Sequence, residues 1–261
     1  MKPVCLHDKQ EIEQFLCQRR LLHLYELGDL DDFFWKYTSW YAFKDQERIK
    51  QLVLLYLGFS PATLLALSEE PLAGMADLLR ALLPFLPKQV YCHLSGNLVT
   101  VFEQDYAIEP HGAYYKMALS DRSCLERVDS SEVIRLAPAD RAELEALYQV
   151  SYPGNWFDPR MLETGHYYGL RRDSHLVSVA GVHVYSPHYK VAALGNVTTH
   201  PDFRGQGLAT LTCAGLCQAL LTSVDHIGLN VRADNLAAIA SYEKLGFERI
   251  AVYGEYALKL K

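Results

Sequence analysis

In the second half of the chain, apolar runs alternate with short polar turns. Residues 166–171 are rich in tyrosine, and residues 176–185 and 191–199 are mostly apolar with several β-branched side chains. Polar turns at Arg172-Asp173-Ser174 and Ser186-Pro187-His188 separate them. This pattern predicts three strands of an antiparallel meander. Ahead of it, residues 138–150 switch to helical spacing, with Leu144, Leu147 and Tyr148 on one face behind Pro138. A strand is expected at 132–136 and a short second helix at 159–164. Behind the meander, no charge occurs from residue 205 to residue 224. Gln206, Thr210, Thr212 and Gln218 interrupt that stretch, so it reads as a helix buried against a sheet and not as a membrane span. Residues 226–233 then read as a strand, 236–245 as a helix stopped by Gly246, and 247–260 as a final extended run.

The first half is less regular. Residues 11–30 are helical in pattern, and the aromatic stretch 33–43 reads as a strand. Residues 51–59 and 62–68 read as a strand pair around Gly58-Phe59-Ser60-Pro61. A helix at 73–86 closed by Pro87 and a strand at 90–94 follow. This order of helices, meander, helix and strand echoes the second half. It predicts either a degenerate copy of the same fold or an unrelated α+β domain. The polar segment 120–131 is the expected linker, giving domains at 1–125 and 131–261.

Composition narrows the class. Half of the 261 residues are hydrophobic, enough for two modest cores. A net charge of −6 argues against wholesale nucleic-acid binding. The N-terminus carries His7, Asp8, Lys9 and Glu11 with no apolar run, unlike a signal peptide. Six cysteines lack Cys-x-x-Cys spacing, which suits reduced thiols and a cytoplasmic protein without membrane attachment. Cys213 and Cys217 stand four apart on the uncharged helix. Core filling suits them better than a two-ligand metal site, and no metal is expected.

One segment points at chemistry. Residues 196–209 run from a β-branched stretch through His200-Pro201 into a glycine loop and the start of a helix. Gly205 and Gly207 allow close approach of the backbone, and Arg204 adds a positive charge. A helix N-terminus beside them favours phosphate oxygens. The plain alternative is a tight strand-to-helix turn.

Arg204, Gly207 and Ala209, with Asn235, Tyr242 and Glu243-Lys244-Leu245-Gly246-Phe247 downstream, resemble the two motifs of the GNAT superfamily of acyl-CoA N-acyltransferases. The resemblance covers residues 131–261. It implies an α+β fold with a mixed, mostly antiparallel sheet flanked by helices. The tandem layout is similar to glycine N-acyltransferase-like proteins, whose N-terminal half is degenerate. If the first half is such a copy, Glu69 and Glu70 put the wrong charge where pyrophosphate would sit.

The resemblance also implies roles. Val197, Thr198 and Thr199 would offer backbone groups to pantetheine, and Arg204, Gly205, Gln206, Gly207, Leu208, Ala209 and Thr210 would hold the pyrophosphate of acetyl-CoA. Asn235 would bind or orient the cofactor region, and Tyr242 would protonate the leaving sulfur. The implied reaction is acetyl transfer from acetyl-CoA to a primary amine, of a small molecule, in a ternary complex of a monomer or homodimer. Alternatives are a CoA-binding sensor without activity, a protein N-terminus as acceptor, or a longer acyl donor. A glutamate found in relatives falls near Ala193 here, so the base is open among His183, His200, Glu255 and a water relay. Tyr152, Trp156, Phe157, Tyr167 and Tyr168 form either an acceptor wall or a hydrophobic plug.

Overall fold

A computed structural model of the chain describes residues 2–261. The chain divides into two compact units. Unit 1 runs to Lys116 and includes Arg232–Asp234 and Ile250–Lys261; unit 2 comprises Met117–Val231 and Asn235–Arg249. These limits differ from a split into 1–125 and 131–261, because the last strand returns most of its length to unit 1.

Unit 1 opens with strand β1 (Val4–Leu6) and helix α1 (Lys9–Leu16), whose first turn is capped by the Asp8 carboxylate accepting from the Gln10 amide at 2.9 Å. Helices α2 (Leu24–Asp29) and α3 (Asp32–Trp35) follow. The aromatic stretch 33–43 is therefore not one strand. Asp31 accepts from the Phe33 amide and starts a helical turn, and extended structure begins only at Thr38. A local cap outweighs the β preference of aromatic side chains.

Strands β2 (Thr38–Asp45), β3 (Arg48–Tyr56) and β4 (Ala62–Ala66) form an antiparallel meander, with Trp40 opposite Leu54 and Leu54 opposite Leu65. Helix α4 (Ala73–Leu82) buries Met75, Leu78, Leu79 and Leu82 in a core with Val53, Leu55, Leu64 and Cys92. Strand β5 (Gln89–Leu94) lies parallel to β4. Strand β6 (Tyr106–Leu119) was not legible in the sequence, because Pro110 and Gly112 break it and its middle is exposed on both faces.

Unit 2 begins inside β6. The expected linker is a packed segment: helix α5 (Ser123–Glu126) lies within it, Leu125 is buried, and Gln218 Nε2 donates to the Leu125 carbonyl at 2.9 Å. Strand β7 is only Ile134–Arg135, and helix α6 (Arg141–Ser151) follows a 3-10 turn at Pro138–Asp140. Leu144, Leu147 and Tyr148 form its buried face, as their spacing requires. Another 3-10 turn occupies Pro159–Thr164.

The meander of unit 2 consists of β8 (Tyr168–Arg172), β9 (His175–Ser186) and β10 (Val191–Thr199), each antiparallel to the next. Helix α7 (Leu208–Leu220) packs across all three. Strand β11 (His226–Arg232) runs parallel to β10. Helix α8 (Leu236–Lys244) packs on α7, Gly246 at φ +89° ends it, and β12 (Phe247–Leu260) closes the chain. In unit 1 the strand order is β1-β2-β3-β4-β5-β12-β6; in unit 2 it is β11-β10-β9-β8-β7. Among the described residues no helix is long and apolar enough to cross a membrane.

Candidate active site

The feature that builds the site is a parallel strand pair that comes apart. β10 pairs with β11 from Val191 opposite His226 to Leu194 opposite Leu229, and no further. The rest of β10, from Gly195 to Thr199, keeps its partner only on the β9 side. Its register there shifts between Gly195 and Thr198, and Asn196 sits at φ +53°. This is a β-bulge, which bends and twists the strand that carries it.

Two tyrosines pin the bulge. The Tyr148 hydroxyl donates to the Asn196 carbonyl at 2.9 Å, and Asn196 Nδ2 donates to the Tyr167 hydroxyl at 3.1 Å. All three side chains are buried. Burial pushes the Tyr148 phenol well above its ordinary pKa, so it remains a donor. Phe157 fills the space between them, 5.2 Å from the Tyr148 ring and 5.6 Å from the Tyr167 ring. Of the five aromatics singled out from sequence, Phe157 and Tyr167 thus belong to this plug. Tyr152 and Trp156 are exposed, and Tyr168 is half-buried on β8. The bulge itself had one signal in the sequence, the Gly195-Asn196 pair inside a strand otherwise built of Val, Ala, Leu and Thr.

β10 delivers the chain to the glycine loop. After a 3-10 turn at Pro201–Phe203, Gly205 takes φ +78° and Gly207 takes φ +76°. A Cβ built on either glycine meets nothing within 4 Å, so the loop is open on the side a ligand would approach. Gly207 is the N-cap of α7 and offers no side-chain partner to the first-turn amides. Those amides and the helix dipole are free to serve an anion. Arg204 to Gly207 are exposed, Leu208 is buried, and Ala209 and Thr210 are half-buried in the first turn. The Arg204 guanidinium donates to the carbonyls of Thr199 at 3.3 Å and Ser151 at 3.1 Å, which ties the loop to the end of α6.

Beneath the loop runs a buried chain of hydroxyls. Thr212 on α7 donates to Ser178 on β9 at 3.1 Å, and Ser178 meets Thr199 Oγ1 at 3.0 Å. It locks the helix that presents the amides to the strand that leads into them. Spacing alone could not reveal it, because the three residues are far apart in sequence.

Val197 and Thr199 are half-buried and Thr198 is buried on the unzipped stretch. Asn235 is exposed, and its side chain caps α8 by accepting from the Ala238 amide at 3.2 Å. Tyr242 is 8% exposed on α8, with its ring centroid 6.0 Å from that of Phe247. Of the base candidates, His200 caps its own turn, its Nδ1 accepting from the Asp202 amide at 3.3 Å. Glu255 lies in unit 1, where it accepts from Tyr91 and, at 2.7 Å, from Tyr253. His183 lies over Gly195 on the β9 side of the opening. Cys213 and Cys217 are buried in α7, and burial pushes the Cys213 thiol up to about 12. Among the described residues no group of His, Cys, Asp and Glu is arranged to hold a metal.

The Acetyltransferase (GNAT) family profile matches residues 133–247. Mycothiol acetyltransferase of Mycobacteroides abscessus is 30% identical over 156 residues, covering 51% of this chain and 50% of that protein. The [ribosomal protein bS18]-alanine N-acetyltransferase of Salmonella typhimurium is 41% identical over 66 residues, covering 25% of this chain and 45% of that one. The chain thus spans half or less of the length of these curated relatives. Among solved structures, a tandem GNAT protein from the clavulanic acid biosynthesis pathway shares the fold over 99% of this chain and 98% of its own, with a TM-score of 0.57 and 15% identity. A family match on the segment that holds the unzipped strands, the glycine loop and α8 identifies residues 133–247 as an acetyltransferase domain of the GNAT family.

Proposed function

We propose that this protein transfers an acetyl group from acetyl-CoA to the primary amine of a small molecule, by direct attack in a ternary complex. The observation that carries the reading is the separation of β10 from β11 after Leu194 and Leu229, on a strand that ends at the open glycine loop. The amides of Gly205, Gln206, Gly207, Leu208, Ala209 and Thr210 and the Arg204 charge suit a pyrophosphate. The backbone of Val197, Thr198 and Thr199, which has lost its β11 partner, suits the pantetheine amides as an added strand would. Tyr242, buried on the helix beside α7, is assigned as the acid that protonates the departing sulfur. Asn235 shapes the start of that helix through its cap, and so orients the cofactor region.

Unit 1 is read as a degenerate copy of the same fold, since its meander, helix and parallel strand repeat the order found in unit 2. Soluble, cytoplasmic residence is part of the same proposal. The test is direct. Acetyl-CoA or CoA should raise the melting temperature of the purified protein, and thiol release should follow addition of an amine. Absence of any shift with either ligand would sink the proposal.

A second reading is a CoA-binding sensor without turnover, favoured by the absence of a carboxylate from β10. It predicts the thermal shift with no thiol release across a broad panel of amines. The bS18-alanine relative adds a peptide bearing a free N-terminus to that panel.

A further inference from the structure

An amine must lose a proton to become acylated, and β10 supplies no side chain to take it. The face of the sheet beside the opening supplies one from the neighbouring strand. Gly181 and Gly195 are direct partners across β9 and β10, so they share a face. A Cβ on Gly181 would fall 2.2 Å from the Tyr167 ring, and one on Gly195 would fall 2.0 Å from the His183 ring. The two glycines therefore form a floor on which both rings rest. His183 reaches that floor because β9 holds one extra residue there. Ala193 pairs with Val184 and Leu194 with Val182, which leaves His183 as the bulged position.

The third strand brings a second polar group. Ala193 faces Gly228, and two residues further along each strand alternation returns Gly195 and Asn230 to the same face. Gly195 and Asn230 are also the first residues past the last β10–β11 pair. Asn230 Oδ1 is buried and, among the described residues, accepts no hydrogen bond. A buried amide oxygen without a donor is costly to keep unless something else supplies the donor.

We infer that His183 is the general base of acetyl transfer, and that Asn230 positions the acceptor by accepting an N–H from its amine. The inference rests on the acetyltransferase reading above. His183 removes a proton from the acceptor nitrogen as that nitrogen bonds to the acyl carbon. The carbon–sulfur bond breaks, its electron pair leaves with sulfur, and Tyr242 protonates the sulfur. His183 loses its proton to solvent and Tyr242 regains one, so one amine and one thioester become one amide and one thiol.

The experiment uses acetyl-CoA with two small probes, ethylamine and the far less basic trifluoroethylamine, in the full chain. His183→Gln and His183→Ala should keep the acetyl-CoA thermal shift yet lose about 100-fold in kcat with ethylamine, within the range a general base contributes. With trifluoroethylamine the loss should be at least tenfold smaller, and added imidazole should restore part of the rate of His183→Ala. Asn230→Leu should raise KM for ethylamine about tenfold and leave KM for acetyl-CoA unchanged. Equal losses with both amines and no rescue would make His183 structural. A wild-type protein that binds acetyl-CoA and acetylates neither amine would remove His183 as base while leaving the CoA site standing. A wild-type protein without a thermal shift would remove both readings together.

Discussion

The two units repeat one order of elements and treat the equivalent strand pair in opposite ways. In unit 2, β10 and β11 part after Leu194 and Leu229. In unit 1, β4 and β5 stay paired along the whole of β4, from Ala62 opposite Val90 to Ala66 opposite Leu94. The closure continues beyond the strands. The Ser95 amide donates to the Ala66 carbonyl at 3.3 Å, and Ser95 Oγ accepts from the Ser68 amide at 3.0 Å. The segment before the helix differs in the same sense. Where unit 2 has two left-handed glycines facing open space, unit 1 has Glu70 accepting from the Leu72 amide at 3.1 Å and Glu69 paired with Arg19 at 2.6 Å. A carboxylate of the chain stands where an anion would be received. The lesson is that element order does not make a cofactor slot. Unit 2 adds a bulge and an open glycine loop, and lacks a carboxylate at the equivalent place.

The units also differ in the polar groups they bury. Unit 1 encloses a set of ionisable groups: Glu26, Asp29, Lys116 and Glu255 are all buried. Burial pushes the Glu26 carboxyl upward, but Lys116 and a hydrogen bond with His23 at 3.1 Å pull it below its ordinary value. Burial and the Glu26 charge hold the Asp29 carboxyl well above its ordinary range, against the pull of Lys116. Burial draws the Lys116 ammonium down, and it lies 4.8 Å from the Tyr25 ring centroid and 5.8 Å from that of Tyr253. In unit 2 the facing pair Gly181 and Gly195 is instead covered by the rings of Tyr167 and His183.

This contrast can be broken experimentally, most severely at Gly207. Gly207→Glu places a carboxylate where unit 1 already has one, at a backbone conformation that costs about 1–2 kcal/mol for a non-glycine residue. Acetyl-CoA should then give no thermal shift, while the far-UV spectrum stays that of the wild type. Retained binding would show that the loop is not the cradle. Tyr242→Phe should lower kcat about 100-fold for ethylamine and trifluoroethylamine alike, with acetyl-CoA affinity nearly unchanged by calorimetry. An equal loss of affinity would make Tyr242 a packing residue.

A smaller effect is expected at the clamp that opens the slot. Tyr148→Phe leaves the buried Asn196 carbonyl without its donor, at a cost of about 1–3 kcal/mol in denaturant unfolding. It should weaken acetyl-CoA binding by roughly tenfold if the clamp sets the bulge. Stability that falls without any change in binding would separate the bulge from the slot. The smallest effect belongs to unit 1. Because the folded state holds the Asp29 proton above the value of the unfolded chain, the stability this group contributes is full at acid pH and is lost as pH rises through the raised folded value. Asn cannot ionise, so Asp29→Asn should be level with wild type at low pH and melt about 3 °C higher at pH 7. A gap between the two curves that does not widen with pH would contradict the direction assigned to Asp29.

Much of unit 2 was legible because its sequence obeys local rules. The strand 191–199 and the last strand 247–260 fall where their apolar runs place them. Gly207 and Gly246 mark the start of α7 and the end of α8 with positive φ. Unit 1 was less legible for identifiable reasons. Asp31 turned part of an aromatic stretch into a helical turn, and β6 carries Pro110 and Gly112 within an exposed run. The segment 120–131 is polar by composition yet anchored by Leu125 and by Gln218 from α7, a partner far along the chain.

What the sequence by itself determined is the set of elements in residues 131–261, the open glycine loop at Arg204 to Ala209, and the positions of Asn235 at the cap and Tyr242 within one helix. These depend on periodicity, caps and glycine conformations, which act over a few residues. The tertiary structure decided where β10 leaves β11, which tyrosines hold it open, and which side chains share the face at the opening. It also decided that the same order of elements in unit 1 stays closed. Those outcomes depend on strand register and on hydrogen bonds such as Tyr148 to Asn196 or Ser68 to Ser95, whose partners lie tens of residues apart. A local pattern carries no information about which distant donor completes a buried acceptor.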